Sequence, residues 1–523
     1  MDTNALFYGD NLEWLQKKTY FPDESVDLIY LDPPFNSNTD YNIIFNEKEG
    51  DKSQAQLRAF DDTWKWEKES AHEALLELIV SAPTISEFIR WLSRQSDAKC
   101  TSMAAYLSMM AVRLIELHRV LKPTGSIYLH CDSTAGHYLK ILMDMIFGSD
   151  RFINEIIWQK IRTTKAQTRG FGNVNDSIYM YSKTDQFLFY TQYKDFDPKY
   201  IKSHYKQDAA GKLFRTVSLL QHGDGSAKTF GDVTLTPPKD RHWIWSQERI
   251  DKAISDGLIR FTSTGRPEKI QYLDDIEGDI VDNIWVDISP LNAQAKERLG
   301  YPTQKPEALL ERIINASSKE GDIILDPFCG CGTAIVVANK LNRRWIGIDV
   351  TYLAIDLIEK RLIKDFDIEI KKTYKVHGNP FDTASAQALF DKDNMDKHAF
   401  ELWALSLVDA RSRIKDKGVD GIIGFIDDNG EPRRIVVQVK GGANLTPTII
   451  RDLDGTVKNE GAAMGLLISL HTPTKGIYEY ANHAGDYIST QRDKPFQMLQ
   501  VRTIDELLHD NTFDLPMWKR AAK

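Results

Sequence analysis

Cysteine is scarce: the 523 residues contain four, two of them at Cys329 and Cys331. So few thiols exclude a disulfide scaffold and suit a reducing compartment. The Cys-x-Cys pair has no second pair and no histidine nearby, so it makes a poor metal site. Runs of 18 apolar residues are also missing, which predicts no membrane span. The first 20 residues hold Asp2, Asp10 and Glu13 and no apolar core, so no secretory signal is expected. Positive charge is short too. The net charge is −9, and any basic surface for nucleic acid would have to be local. What is present, 42% apolar and 27% charged residues, is an ordinary globular composition with enough chain for two or three domains.

The most informative stretch is Leu31-Asp32-Pro33-Pro34-Phe35. The apolar run from Val26 to Leu31, with Asp27 inside it, reads as a buried parallel strand. It ends in a carboxylate, two prolines and a ring. Each proline lacks an N–H and holds its predecessor extended, so the chain leaves the sheet rigidly. The result is a fixed group of acceptors beside an aromatic face, at the carboxyl end of a strand, where open α/β sheets bind ligands. An exocyclic amino group on a nucleobase suits such a group. Asp32 and the Pro33 carbonyl would accept its two hydrogens and favour a pyramidal nitrogen, and Phe35 would stack on a base flipped from its duplex. A strand-ending Asp-Pro turn without chemistry is written in the same few letters.

A second stretch answers the first. Asp322-Ile323-Ile324-Leu325-Asp326-Pro327-Phe328-Cys329-Gly330-Cys331-Gly332-Thr333 is a strand and a small-residue turn, and Ala334 to Leu341 continues as a helix. Glycines let a backbone approach a ligand closely. The next strand, Arg344 to Asp349, ends in an acid about 20 residues on, the distance of a ribose-binding carboxylate in nucleotide-binding βαβ units. The loop has neither the Gly-x-Gly-x-x-Gly spacing nor a following Gly-Lys-Ser/Thr.

Together these motifs resemble the S-adenosylmethionine-dependent DNA amino-methyltransferases in the β-group order, over roughly residues 4 to 365. Asp326 to Thr333 is similar to the family's cofactor loop, with Cys329 and Cys331 where Ala and Ser are more usual. Tyr301-Pro302-Thr303-Gln304-Lys305-Pro306 resembles the short motif before that loop, and Tyr8-Gly9-Asp10-Asn11 the amino-terminal Gly-Asp motif. Asp32-Pro33-Pro34-Phe35 matches the catalytic motif. The resemblance implies a Rossmann-like α/β sheet of seven strands read in permuted order. Residues 1–150 would be the catalytic half, 151–290 an inserted target-recognition region, and 291–370 the cofactor half. Asp326, Pro327, Phe328, Gly330, Gly332, Thr333, Asp349 and Lys305 would hold S-adenosylmethionine. Asp10 would border the reacting base. DNA in duplex form would be the partner, the enzyme cytoplasmic, and a homodimer a family expectation.

Along the chain, Ala5 to Tyr8 reads as a strand and Asn11 to Thr19 as a helix. Residues 46–104 form a charged insert with Trp64, Trp66 and Trp91, and with helical spacing over Ala71–Val80 and Ile85–Arg94. Ala104 to Leu121 reads as an amphipathic helix with its apolar face at Leu107, Ala111, Leu114, Ile115 and Leu117. Lys122 to Gly125 reads as a turn, and Ser126 to His130 as a strand whose His130 and Asp132 are expected to shape the pocket. Between 151 and 250 there are 16 Lys or Arg against 10 Asp or Glu, a local charge of +6. There Lys160, Arg162, Lys165 and Arg169 cluster with Thr163, Thr164 and Gln167, a set able to bind phosphates and base edges or to form a solvated basic face.

Residues 396–523 carry a pattern of their own. A helix from Lys397 to Arg411 contains Glu401. A strand follows Lys417-Gly418-Val419-Asp420, and Asp427 to Glu431 is a hairpin turn. A second strand, Arg434 to Val439, runs into Gln438-Val439-Lys440. A helix and an apolar strand follow. This α-β-β-α-β order resembles the PD-(D/E)XK nuclease fold, nearest to Mrr-type restriction endonucleases, as a small restriction-endonuclease-like α/β domain. Asp420, Gln438 and Lys440 stand at the signature positions, with Gln in place of the acid. The resemblance implies Mg²⁺ held by Asp420, Gln438 and Glu401, with Lys440 at the attacking oxygen.

The expected activity is transfer of a methyl group to the 6-amino group of adenine, in restriction-modification or epigenetic marking, with a further endonuclease activity. The 4-amino group of cytosine is the alternative, since many cytosine enzymes carry Ser where Asp32 stands. A single-chain restriction-modification enzyme that mainly cuts DNA is another. Carbon-5 methylation of cytosine needs a Pro-Cys pair, and none occurs.

Overall fold

A computed structural model describes residues 4–34, 69–161, 170–292, 294–299, 301, 303–380, 382–392, 398–408, 410–412, 419–427, 431–489, 494–509 and 511–516. Phe35, Trp64, Trp66, the Arg162–Arg169 part of the basic cluster, Pro302, Lys417, Gly418 and the tip of the expected 427–431 turn lie outside them.

The first strand β1 (Ala5–Tyr8) and helix α1 (Asn11–Leu15) lead into β2 (Val26–Leu31), buried along its whole length. Burial on both faces explains its unbroken apolar run. Asp27 is tolerated there because its carboxylate accepts both from Lys122 Nζ (2.8 Å) and from the Ile323 backbone N–H (2.9 Å). Helices α2 (Glu69–Ser81), α3 (Pro83–Ser93) and α4 (Ala98–Val120) follow. The spacing predicts an apolar stripe on α4. Residues 103–112 are instead buried all round, because α2 and α3 cover its outer side. Lys99–Val120 has the length and mean hydropathy (1.2) of a membrane span, and 72% of its most apolar window is buried inside the protein, as in a core helix.

Strand β3 (Leu121–Cys131) absorbs the expected turn at Lys122–Gly125 as an irregularity. Val26 pairs with Leu121 and Leu28 with Ser126, so the extra residues bulge between them. Gly125 is required there, since a Cβ would meet the Asp27 carbonyl at 2.8 Å. Then come α5 (Gly136–Phe147), β4 (Phe152–Gln159) and β5 (Asn175–Ser182).

A separate compact unit, Thr191–Asp282, holds short antiparallel strands and the helix Gln247–Ser255. Its small core is Leu219, Phe230, Trp243, Trp245, Ile250 and Ala253. This unit is narrower than the expected 151–290, because β4 and β5 belong to the main sheet.

The chain returns through β6 (Ile284–Trp285), α6 (Glu307–Ser317), β7 (Ile323–Asp326), α7 (Thr333–Lys340), β8 (Arg344–Asp349), α8 (Tyr352–Phe366) and β9 (Lys375–His377). The main sheet runs β6-β4-β5-β3-β2-β7-β8-β1-β9, with β5 alone antiparallel to its neighbours. It has nine strands where seven are expected, the two edge strands β6 and β9 being short additions.

The carboxy-terminal part contains α9 (Thr383–Lys392), α10 (His398–Ser406), β10 (Arg411–Ser412), β11 (Gly421–Ile426), β12 (Pro432–Lys440), α11 (Pro447–Asn459), β13 (Met464–Ser469), α12 (Lys475–His483), β14 (Leu499–Thr503) and α13 (Ile504–Leu508). Its sheet runs β10-β11-β12-β13-β14. The expected helix stops at Ser406, and Arg411 is already in a strand. One face packs Ile435, Val437 and Val439 with Phe400 and Trp403 of α10. The other packs Val436, Leu467 and Val501 with Ile450 and Leu453 of α11.

Candidate active site

The adjacent strands β2, β7 and β8 each deliver an acid at the carboxyl end: Asp32, Asp326 and Asp349. Asp32 and Pro34 are half-buried and Pro33 is buried. The Asp32 carboxylate is ion-paired with Lys305, which lies in the loop before α6. Asp326 is buried, and burial pushes its carboxyl well above the usual carboxylate range. The Phe328 N–H, 3.1 Å from Oδ1, opposes that rise, and the charges of Asp32 and Asp349 add to it. Asp349 is raised by burial as well. Its Oδ2 accepts from the Gly330 N–H (2.9 Å), and its Oδ1 from the Thr351 N–H (2.8 Å) and hydroxyl (2.7 Å).

The loop between β7 and α7 needs its glycines. Gly330 and Gly332 have φ of +48° and +73°, in the left-handed region that side chains avoid. A Cβ on Gly332 would also meet Ile358 of α8 at 2.6 Å. Buried Thr333 opens α7, and Phe328 is half-buried. Buried Arg361 donates to the Cys331 carbonyl (3.1 Å), to Thr333 Oγ1 (3.3 Å) and to Glu307 (2.8 Å), which fixes the loop from below. Burial holds the Cys329 and Cys331 thiols above their ordinary range, so neither behaves as a reactive thiolate.

Asp10 caps α1 by accepting from the Leu12 N–H (2.7 Å), and both its oxygens accept from Arg113 (2.6 and 2.9 Å). Asn11 accepts from Arg113 Nε (2.5 Å) and donates to the Pro327 carbonyl (2.7 Å). Pro327 is thus tied to the amino-terminal motif across 316 residues. Sequence reasoning missed Arg113, because a lone arginine inside an apolar helix signals only a buried partner of unknown address. It also missed the partner of His130. Asp132 is turned away into a turn with Thr134 (2.9 Å), and His130 contacts Asp176 and Tyr30 instead. Lys160, read as part of a basic cluster, is paired with Asp176 (2.5 Å).

The residues fit a small nucleotide-like cofactor. Three carboxylates converge on one end of the sheet, and a glycine-bearing turn leaves backbone exposed beside them. Such a site defines the class: an α/β protein that holds a nucleotide-like ligand at strand ends, with an acceptor cluster next to it. Residues 26–360 match the family model N6_N4_Mtase, described as DNA methylase, and the chain belongs to that family. It is 34% identical over 264 residues to the type II methyltransferase M.EcaI of Enterobacter cloacae, covering 50% of this chain and 58% of that protein. It is 26% identical over 355 residues to the StyLTI Mod subunit, a type III restriction-modification enzyme of Salmonella typhimurium, covering 65% and 50%. The chain therefore spans little more than half the length of these relatives. Among solved structures, PvuII DNA methyltransferase (cytosine-N4-specific) aligns with a TM-score of 0.34 and 14% identity, over 73% of this chain and 97% of that one.

Residues 400–509 match a second model, described as NACHT-associated inactive Restriction Endonuclease 1. Here the structure brings Asp420, Gln438 and Lys440 to neighbouring strands. Asp420 Oδ2 accepts from the Val439 N–H (2.6 Å), and Gln438 is buried. Glu401 does not join them. Its helix α10 packs on the face of Val437 and Val439, whereas Gln438 and Lys440 alternate to the opposite face. Among the described residues no group of three or more His, Cys, Asp or Glu is placed to hold a metal. The arrangement of the described residues gives the expected Mg²⁺ no support.

Proposed function

We propose that this chain methylates the exocyclic amine of a base flipped out of duplex DNA, adenine N6 being the favoured target. The observation that carries the reading is the placement of Asp32-Pro33-Pro34 beside Asp326, Gly330, Gly332 and Asp349 on three adjacent strands. S-adenosylmethionine, when bound, supplies an electrophilic methyl group on a cationic sulfonium. Lys305, Asp326, Pro327, Phe328, Thr333 and Asp349 would line its place. Asp32 and the Pro33 carbonyl accept the two amine hydrogens and orient the nitrogen lone pair toward the methyl carbon. The bound cofactor would supply the methyl group and leave as the neutral thioether, and Asp32 would take the proton that the methylated amine gives up. Asp10, held by Arg113, braces the amino-terminal motif. Adenine is favoured over cytosine because the motif opens with Asp.

The order of catalytic half, inserted unit and cofactor half supports the β-group arrangement, with residues 191–282 as the recognition unit. The carboxy-terminal domain is read as a restriction-endonuclease-like fold that does not cut, on the separation of Glu401 from Asp420 and Gln438. Long-read modification sequencing of DNA from cells expressing the wild-type and Asp32→Ala chains tests the first reading. A single modified adenine motif lost in the variant is expected. A modified cytosine corrects the base, and a mark that persists in Asp32→Ala overturns the mechanism. Mg²⁺-dependent cleavage that disappears in Asp420→Ala and Lys440→Ala would overturn the second reading.

A further inference from the structure

Behind the end of β2 runs a polar chain that the methylation step does not use. Tyr30 precedes Asp32 by two residues and so points to the same side of its strand. Its hydroxyl lies 3.0 Å from His130 Nδ1 on β3. His130 Nε2 lies 3.2 Å from Asp176 Oδ2 on β5, and the other oxygen of Asp176 accepts from Lys160 (2.5 Å). Tyr30, His130 and Asp176 are all buried, with His130 fully so. Lys160 is 31% exposed and marks where the chain reaches the surface. Four strands of the sheet or their ends, β2, β3, β5 and β4, each contribute one member.

The chemistry gives this chain a direction. Asp176 is acceptor only, so the proton of His130 sits on Nε2 and Nδ1 accepts from the Tyr30 hydroxyl. Burial lowers the imidazole's affinity for a second proton and the Lys305 charge lowers it further, while Asp32 and Asp176 act the other way. Burial likewise keeps the Tyr30 phenol protonated. A buried polar network this complete is costly to build and is fully satisfied only in one arrangement.

We propose that Asp176, His130 and Tyr30 are positioning residues for the catalytic end of β2: by fixing one proton arrangement beneath Asp32 and Lys305, they hold Asp32 in the geometry that accepts the target amine. The inference rests on the reading of Asp32 as the amine acceptor. It concerns the rate of methyl transfer and not the hold on S-adenosylmethionine, whose loop is braced separately by Asn11 and Arg361.

Two near-isosteric substitutions test it. Asp176→Asn presents an amide N–H to His130 Nε2, which moves the ring proton to Nδ1 and reverses the chain. Tyr30→Phe deletes one hydroxyl and keeps the ring. Each full-length variant is assayed beside wild type and Asp32→Ala. The readouts are single-turnover transfer of tritiated methyl to unmethylated genomic DNA and equilibrium binding of S-adenosylmethionine. The expected result is a fall of about ten- to a hundredfold in the single-turnover rate for both variants, with cofactor affinity within about threefold of wild type. Wild-type rates in Asp176→Asn and Tyr30→Phe, with Asp32→Ala inactive, overturn the inference and leave the role of Asp32 standing. Rates that fall only in proportion to lost cofactor binding also overturn it, because the chain then serves the fold. Turnover retained in Asp32→Ala overturns the reading of Asp32 itself.

Discussion

Asp32 and Asp420 both stand at a strand terminus with a lysine near, yet their surroundings differ. Asp32 meets Lys305 from a distant loop, shares its end of the sheet with Asp326 and Asp349, and follows Tyr30, which is linked through His130 to Asp176. Asp420 has its carboxylate turned onto the Val439 N–H of its own hairpin, and the helix carrying Glu401 lies across the sheet. The first acid is paired with a lysine from a distant loop, and the second with a backbone N–H of the neighbouring strand. Short motif letters mark both places equally well. The long-range partners separate them.

The sharpest way to break this comparison is Asp32→Ala. Methylation should fall by about 10²- to 10⁴-fold, the range for losing a positioned acid–base group, while S-adenosylmethionine still binds. A tritium-transfer assay with a parallel binding titration decides it, and retained turnover would put the two acids on one footing. Next in size is Gly332→Val. With φ at +73° and a Cβ 2.6 Å from Ile358, it should abolish cofactor binding and destabilise the fold by about 1–3 kcal/mol. Calorimetric titration and urea unfolding read the two effects.

A smaller effect concerns Asp326. Its carboxyl titrates above the usual range in the folded state, so the folded chain holds a proton that the unfolded chain releases. The stability it contributes is fully present below the unfolded pKa and is lost as pH rises through the folded one. Asp326→Asn should flatten that decline in urea unfolding followed upward in pH from the ordinary carboxylate range. A variant curve parallel to wild type would refute the assignment. The smallest effect is Asp420→Ala, which removes one acceptor from the Val439 N–H. It should cost about 0.5–1.5 kcal/mol and leave methylation unchanged. A drop in methylation would show that the carboxy-terminal domain reaches into the reaction.

Local pattern carried much of the fold. Buried runs announced β2, β7 and β8, the helical spacing at 71–80 fell within α2, and that at 85–94 matched α3 to within one residue at its end. Lys122–Gly125 misled because a proline and a glycine in sequence look alike in a turn and in a bulge. The all-round burial of α4 stayed hidden, because what covers a helix is set by other helices. In the site, the strand-end acids and glycines were legible since their spacing is local. The pairing of Asp32 with Lys305, of His130 with Asp176, and of Asp10 with Arg113 was not, since each joins segments far apart in sequence.

The position of β1 has a consequence for biosynthesis. Its two sheet neighbours are β8 and β9, so, among the described residues, residues 5–8 pair with residues 346–349 and 375–377. Strand β1 therefore finds these partners only after the long intervening stretch up to β8 has been translated. At ordinary elongation rates that interval is roughly tens of seconds. Throughout it, Ala5, Leu6 and Phe7, all buried in the finished protein, have no sheet to enter. The order of the strands thus leaves Ala5, Leu6 and Phe7 exposed during synthesis until β8 and β9 have been made.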